Sequence, residues 1–285
     1  MRYLVLILLC AYCIASCRST GKISRSKAAG LDTITDMNLL ESKKRAIYQN
    51  KKGEQFIMHY EPDPGDSAEQ KKDTLPLAVT RYRKTVGVAA ERIVVTLKPV
   101  NKRCDSEYFD GSYRKEQKLS ESHSSLQQYA TITSLKNTLQ ADAFMATIIT
   151  TSSAPRTAEE DRYVRVKTAY LYCYSKQTDE DFHVIIGNTK TASATTKYFN
   201  VEISGLPPDA SPAFADIQAA RSSFLAIADT HLCSSGYYFF ETPLKIELKG
   251  SLFFDKEHFG DDIGPASARP TSAWEIHPVT YLRFK

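Results

Sequence analysis

The sequence predicts a mainly β protein, and three observations lead to this prediction. Five segments with the two-residue alternation of strands follow one another between Tyr163 and Phe284. A helical pattern interrupts them once, after the third strand. Tyrosine and phenylalanine are abundant, with 16 and 13 residues, against one tryptophan, a composition typical of β-rich exported proteins. This order predicts a small Greek-key barrel of the OB type, with one helix between strands three and four and an N-terminal α+β extension. An open α+β sheet is the alternative.

Polar turns separate the first three predicted strands of the barrel. Tyr163 to Tyr174 is long enough to curl and serve both sides of a barrel, and the polar turn 175–180 follows it. The next two strands carry apolar residues at every second position: Phe182, Val184 and Ile186, then Phe199, Val201 and Ile203. Gly205-Leu206-Pro207-Pro208 ends the third strand.

A helix and two more strands complete the predicted barrel. Ser211-Pro212 is typical of a helix start, with serine as N-cap and proline at the first helical position. The fourth strand alternates from Leu244 to Phe254, and the last runs from Trp274 to Phe284. A 17-residue loop, Asp255 to Thr271, lies between them. Loops of this length are usually functional or disordered.

Upstream of the barrel, which covers residues 161–285, the sequence predicts three segments. Residues 1–16 form a signal peptide, residues 17–80 a polar membrane tether, and residues 81–160 the extension. The predicted elements in these segments are a short helix around Met37 to Ile47, a strand at Ile93–Leu97, a helix between Leu119 and Leu139, and a strand at Ala143–Thr151.

The first seventeen residues have the pattern of a bacterial lipoprotein signal. Tyr3 to Ser16 is uncharged but too short for a comfortable membrane span. It ends in Ile14-Ala15-Ser16-Cys17, which resembles a lipobox, whose small residues admit the signal peptidase and whose cysteine accepts the lipid. We therefore expect a lipid anchor on Cys17 in the bacterial cell envelope, and the outer membrane where there is one, because no Asp follows Cys17. An ordinary cleaved signal is the alternative.

Composition narrows the remaining function classes. With 37 Lys and Arg against 33 Asp and Glu, the charge of +4 is too small to favour a nucleic-acid partner. Tyr170, Tyr172 and Tyr174 are predicted on one strand face and the basic residues Arg165 and Lys167 on the other, so the tyrosine row is expected to fill or rim the core. The mature chain lacks the common hydrolase, nucleotide-binding and zincin motifs. The pairing of Cys173 with Cys233 stays open.

Three acid–histidine pairs form the candidate site. They are Asp181 with His183, Asp255 with His258, and Glu275 with His277. Residues i and i+2 share a strand face, so the first and third pairs lie opposite the apolar rows and are expected to point outward or toward the strand ends, where OB-type barrels bind ligands. Pro278 is expected to mark an edge or a bulge.

The residue types allow three interpretations. A carboxylate can fix a histidine tautomer for acid–base chemistry, although no residue is assigned as catalytic. His183, His258 and His277 can ligate a divalent transition metal, with carboxylates as further ligands or as partners of the histidines. The third interpretation is that each pair braces a loop.

The same motifs resemble those of a family of small exported bacterial proteins with no established activity. Its pattern is an acidic turn leading into D-x-H, then F-F-D-x-x-H, then E-[LI]-H-P-V. Here these are Asp179 to Ile186, Phe253 to His258, and Glu275 to Val279. The resemblance spans about residues 165–284 and implies an OB-like barrel in which the acid–histidine pairs matter. It departs at Phe259-Gly260, where family members usually have Gly-Gln.

Together these patterns favour a lipid-anchored binding or interaction protein of the cell envelope, with an unknown ligand or protein partner. The first alternative is a metal-dependent hydrolase or nuclease that uses the acid–histidine pairs. The second is a purely structural envelope lipoprotein.

Overall fold

The computed structural model describes residues 45–49, 55–62, 106–228, 236–261 and 263–285. Eight strands lie within these ranges: β1 (Arg45–Gln49), β2 (Gln55–Pro62), β3 (Gln127–Thr131), β4 (Tyr163–Lys176), β5 (Phe182–Gly187), β6 (Tyr198–Ile203), β7 (Gly236–Phe254) and β8 (Trp274–Phe284). The same ranges contain four α-helices: α1 (Lys115–Lys118), α2 (Ile132–Lys136), α3 (Asp142–Ile148) and α4 (Phe214–Leu225). No helix in these ranges is long and apolar enough to cross a membrane.

The strands form one mixed sheet in the order β1-β2-β7-β8-β6-β5-β4-β3. Strand β4 is antiparallel to β5 on one side and to β7 on the other. Strand β6 is antiparallel to β5 and parallel to β8, and β8 is antiparallel to β7. Strand β3 adds to β4 in parallel, while β2 adds to the first residues of β7. The prediction of a mainly β protein is confirmed.

Two irregularities bend the long strands. The register of β4 shifts between Leu171 and Cys173 against both neighbouring strands. The β7–β8 register shifts at Gly250. A Cβ atom at Gly250 would lie 2.3 Å from the carbonyl oxygen of Pro278, so only glycine lets β8 approach here. This close approach lies beside His277, the centre of the site described below.

The main apolar core lies on one side of β4, β5, β6, β7 and β8. It contains the alternating residues that the sequence predicts to face inward, among them Phe182, Val184, Phe199, Val201 and Ile276. Phe224 of α4 packs against Tyr174 and Phe182, with ring centroids 5.4 and 5.0 Å away. Trp274 is 1% exposed, and its indole N–H donates to the carbonyl of Gln140 at 2.9 Å. This bond ties the start of β8 to the segment before α3.

The five predicted strands are present between Tyr163 and Phe284, with small changes in their bounds. The fourth begins earlier than predicted, at Gly236. The helix is also present, but it begins at Phe214. The predicted serine cap is wrong, because Ser211 instead accepts a hydrogen bond from Phe214 N–H at 3.0 Å through its carbonyl, in a turn that precedes the helix.

The N-terminal half differs more from the prediction. Residues 45–49 and 55–62, predicted as tether, form β1 and β2 and join the sheet. The helix predicted between Leu119 and Leu139 is instead β3 followed by α2. The strand predicted at Ala143–Thr151 is mostly helix α3, because Met145 and Ile149 are four residues apart and both enter the core. Ile93–Leu97 and the signal with Cys17 lie outside the described residues.

Strand β3 lies in the predicted extension 81–160, and it pairs with β4 in the same sheet. The prediction that Tyr170, Tyr172 and Tyr174 share one strand face is wrong. Since the register shift in β4 changes the alternation, Tyr174 lies in the main core, while Tyr172 packs in a separate apolar cluster with Ile185 and Phe239.

Candidate functional site

The candidate site lies on the side of the sheet opposite the main core. Three adjacent strands, β5, β6 and β8, supply polar side chains there. The register places His183 opposite Glu202 and Asn200 opposite Glu275. Because side chains alternate along a strand, these positions share the face that the inward apolar rows leave free.

His277 is the centre of the site. Its Nδ1 atom lies 3.0 Å from Glu275 Oε1 and 2.9 Å from Glu202 Oε2. Its Nε2 atom lies 3.3 Å from Asp181 Oδ2. One imidazole ring therefore contacts three carboxylates.

The other two predicted pairs extend this network toward the surface. His183 Nε2 lies 2.9 Å from Glu202 Oε1, and His258 Nδ1 lies 3.1 Å from Asp255 Oδ2. The two imidazole rings meet edge to face, with centroids 5.8 Å apart. The structure thus brings all six candidate residues into one network.

Burial of this network corrects one expectation. Asp181, Glu202, Asp255 and His277 are 0% exposed and Glu275 is 1% exposed, although the sequence predicts outward-pointing pairs. They do lie opposite the main core, but residues 106–122 cover that face. We call this segment the cover. Its Lys118 reaches Asp255 Oδ2 at 3.4 Å and lies over the ring of Phe253.

A buried ion pair holds the cover in place. Arg114 Nη1 and Nη2 donate to the two carboxylate oxygens of Glu160, each at 2.7 Å. Glu160 also accepts the N–H of Phe254 at 2.9 Å, and the Arg114 guanidinium lies 4.5 Å from the ring centroid of Phe253. The cover also approaches the end of β6, where the N–H of Phe109 donates to the carbonyl of Leu206 at 3.0 Å.

The acidic and basic groups of the network match in number. Four carboxylates, those of Asp181, Glu202, Asp255 and Glu275, face the imidazoles of His183, His258 and His277 and the ammonium of Lys118. Full ionisation of four acids and four bases leaves no net charge. Such compensation is what allows so many ionisable groups to be buried together.

The environment shifts each pKa in a definite direction. Burial raises the pKa of Asp181 and of Glu275 to about 7. Burial also acts to raise the pKa of Glu202, but the imidazoles of His183 and His277 outweigh it and hold that pKa well below its usual range. In His277, burial acts to lower the pKa, and Glu202 and Asp181 outweigh it and raise that pKa well above its usual range. At neutral pH, Glu202 and His277 are therefore an ion pair.

The donor atoms of three side chains converge in this network. Oxygen atoms of Asp181 and Glu202 and a ring nitrogen of His277 lie within 4.8 Å of one another. Among the described residues, these three side chains form the one group whose atoms are close enough to share a metal ion. His183 and His258 lie beside this group, and each contacts its own carboxylate. The metal ligand set of His183, His258 and His277 stays a prediction.

Several residues of the network were missed by the sequence analysis. Glu202 and Asn200 alternate with Phe199, Val201 and Ile203, so the strand pattern places them opposite the apolar row, but neither has a histidine close by in sequence, which was the criterion for the pairs. Asn200 Nδ2 donates to Glu275 Oε2 at 2.9 Å and to Glu202 Oε1 at 3.2 Å. Lys118 carries no such signal, because its position depends on contacts distant in sequence.

The loop after β7 frames a surface pocket of about 600 Å³. His258, Phe259 and Arg269 line it, together with Asp142. The side chain of His258 is 36% exposed, against 12% for His183, so the network reaches solvent chiefly at this pocket. Ser272 Oγ and Ala273 N–H donate to the Asp142 carboxylate at 2.7 and 2.8 Å and hold the end of the loop.

No family model, curated protein or solved structure matches the chain. The resemblance to the family of small exported proteins therefore rests on its three motifs and stays a prediction.

Proposed function

We propose that this protein is a lipid-anchored binding protein of the bacterial cell envelope, and that its OB-like barrel binds a ligand or protein partner at the pocket beside His258. Nucleic acid is not the favoured partner, because the net charge is only +4. The anchor is Cys17, at the end of the lipobox-like sequence.

The strand pairings support an OB-like barrel. The hydrogen-bonded neighbours β4, β5, β6, β8 and β7 form a circuit, because β7 pairs again with β4. Counted in chain order, these strands are β4, β5, β6, β7 and β8, and helix α4 falls between the third and the fourth, as in the OB fold. OB barrels bind their ligands on the face of strands two and three and at the loops between strands one and two and strands four and five.

The position of the pocket is the observation that carries the proposal. In this circuit, the loop between strands four and five is the segment between β7 and β8, which lines the pocket. The face of strands two and three is the one that carries the buried network under the cover. The loop is therefore a usual ligand region that stays open to solvent.

The network makes the start of this loop rigid. Asp255 accepts the N–H of Glu257 at 2.9 Å through Oδ1 and contacts His258 through Oδ2, so it ties the 3₁₀ turn Lys256–His258 to the end of β7. Lys256 Nζ donates to the carbonyl of Ile149 at 2.6 Å. A loop fixed in this way loses little conformational entropy when a ligand binds.

The same geometry disfavours the hydrolase alternative. A substrate would have to reach His183, His258 and His277, but His277 is 0% exposed and the side chain of His183 only 12%. The structural alternative shares the braced loop but needs no ligand, so a binding experiment separates it from our proposal.

The test is site-specific photocrosslinking of the full chain in its own cell envelope. A photoreactive residue at Phe259 or Arg269 is expected to give one discrete crosslinked product. The same residue at Gln218, exposed on α4, is the matched control. A variant with Phe259–Arg269 replaced by a Gly-Ser linker of equal length, probed at Thr271, is expected to lose the product while its thermal unfolding persists. No product at the pocket, or the same product at Gln218, would contradict the proposal.

A further inference from the structure

We propose that Asp181, Glu202 and His277 bind one divalent transition-metal ion inside the covered face of the barrel. This site differs from the three-histidine set expected from the sequence. It is also independent of the proposed binding function, because it lies in the interior and away from the pocket wall at Phe259 and Arg269.

Unsatisfied buried atoms are the first argument. Asp181 Oδ2, Glu202 Oε2 and His277 Nε2 are all buried, and none has a hydrogen-bond partner among the described residues. Glu202 Oε2 lies 2.9 Å from His277 Nδ1 and Asp181 Oδ2 lies 3.3 Å from His277 Nε2, but neither contact has the geometry of a hydrogen bond. Buried polar atoms in proteins are nearly always paired, so three unpaired atoms in one place indicate a missing ligand.

The second argument is that each ligand is held by its other polar atom. The N–H of Gly205 donates to Asp181 Oδ1 at 2.6 Å, which leaves Oδ2 free. Glu202 Oε1 accepts from Asn200 Nδ2 at 3.2 Å and contacts His183 Nε2 at 2.9 Å, which leaves Oε2 free.

His277 is oriented in the same manner. Its Nδ1 contacts Glu275 Oε1 at 3.0 Å, so a ring that keeps its proton there and gives up the one on Nε2 to the ion presents the lone pair of Nε2 on the side of Asp181. A carboxylate on the far ring nitrogen is the usual partner of a metal-ligating histidine, because it fixes the tautomer and the ring orientation. Glu275 takes this part here.

The donor set indicates the class of ion. Two carboxylate oxygens and one imidazole nitrogen suit Zn²⁺, Mn²⁺ or Fe²⁺, whereas Ca²⁺ takes six to eight oxygen ligands. The ion would replace the ring proton of His277 as the positive charge beside these two carboxylates. His183 and His258 are not needed as ligands, since they contact Glu202 and Asp255 instead.

The test is metal analysis of the full-length protein, solubilised in detergent and purified without metal-affinity resin. After treatment with a chelator, the protein is equilibrated with Zn²⁺ or Mn²⁺ and measured by inductively coupled plasma mass spectrometry. We expect one equivalent per chain and a melting temperature that rises with metal concentration. The isosteric variants Asp181→Asn and Glu202→Gln are expected to lose this equivalent. The variant Glu275→Gln is expected to weaken binding about 10- to 100-fold.

The matched control is His258→Gln, which removes a histidine of the same network that we do not assign as a ligand. It is expected to keep one equivalent. Loss of the metal in His258→Gln, or its retention in both Asp181→Asn and Glu202→Gln, would overturn the assignment. If these variants do not fold, titration of the wild-type protein with Co²⁺ decides: a visible absorption band that saturates at one equivalent is expected, and its absence together with an unchanged melting temperature overturns the proposal.

Discussion

Arg114 and Glu160 form a two-pronged ion pair with both side chains 0% exposed. The two N–O distances are 2.7 Å, and the pair joins the cover to β7 through Phe254. Removing one member of such a pair leaves the other charge buried without compensation, which costs about 3–5 kcal/mol. We therefore expect Arg114→Met to lower the free energy of unfolding of the full chain by about this amount, as measured by urea denaturation.

The matched control for this prediction is Arg283→Met. Arg283 also contacts a carboxylate, that of Glu247 at 2.8 Å, but its side chain is 57% exposed. Exposed ion pairs contribute about 0–1 kcal/mol, so the loss should be small. Equal losses in the two variants would show that the Arg114 pair does not hold the cover.

A second prediction concerns how closely the cover approaches Gly205. A Cβ atom at this position would lie 2.7 Å from the backbone of Phe109. We expect Gly205→Ala to push the cover away and to increase amide hydrogen exchange in residues 106–119, since overpacking costs about 1–3 kcal/mol. Mass spectrometry of peptic fragments measures this amide hydrogen exchange. Gly260→Ala is the control, because no atom lies within 4 Å of its Cβ position and its strain stays local to the loop. Unchanged exchange in the cover would refute the prediction.

A third prediction concerns pH. The hydrogen bond with Asp255 raises the pKa of His258 to about 9 and outweighs the opposing effect of burial. Because the folded pKa lies above the ordinary value of about 6.5, this histidine stabilises the fold below pH 6.5 and loses that contribution between about pH 6.5 and 9. Urea denaturation of wild type and His258→Gln should show a difference that shrinks across this range. A constant difference would contradict the assignment.

A fourth prediction tests the anchor. Cys17→Ser should abolish the incorporation of labelled palmitate and release the protein from the membrane pellet, because a diacylglycerol on this thiol is the expected attachment. Cys13→Ser is the matched control, since Cys13 lies within the uncharged stretch Tyr3 to Ser16 and not directly after it. Wild-type protein that incorporates no label would leave an ordinary cleaved signal as the alternative, and labelling that survives in Cys17→Ser would contradict the assignment of the lipid to Cys17.

The sequence predicted the strands of the sheet well where a single period dominated. Val184 and Ile186 in β5, or Ile276 in β8, mark one buried face whatever the partner strand is. The pairs Asp181–His183 and Glu275–His277 were found by the same alternation. Their burial was not, because it depends on the cover, which lies far away in sequence and has no periodic pattern.

Other differences have local causes. The register shift in β4 reverses the alternation between Tyr172 and Tyr174, and no residue in the amino-acid sequence of this strand predicts the shift. Helix α3 contains β-branched residues typical of a strand, yet Met145 is buried from a helical position. In both places, tertiary packing outweighs the local preference.

The tryptophan at the start of β8 makes the interior optically accessible. Trp274 is the single tryptophan of the chain, and it lies in the same strand as His277. All tryptophan fluorescence therefore originates at one buried point beside Gln140 and Phe254. A red shift of the emission reports the opening of that point. A paramagnetic ion bound at His277 would quench this emission while Zn²⁺ would not, so the chain carries its own spectroscopic reporter for the buried network around His277.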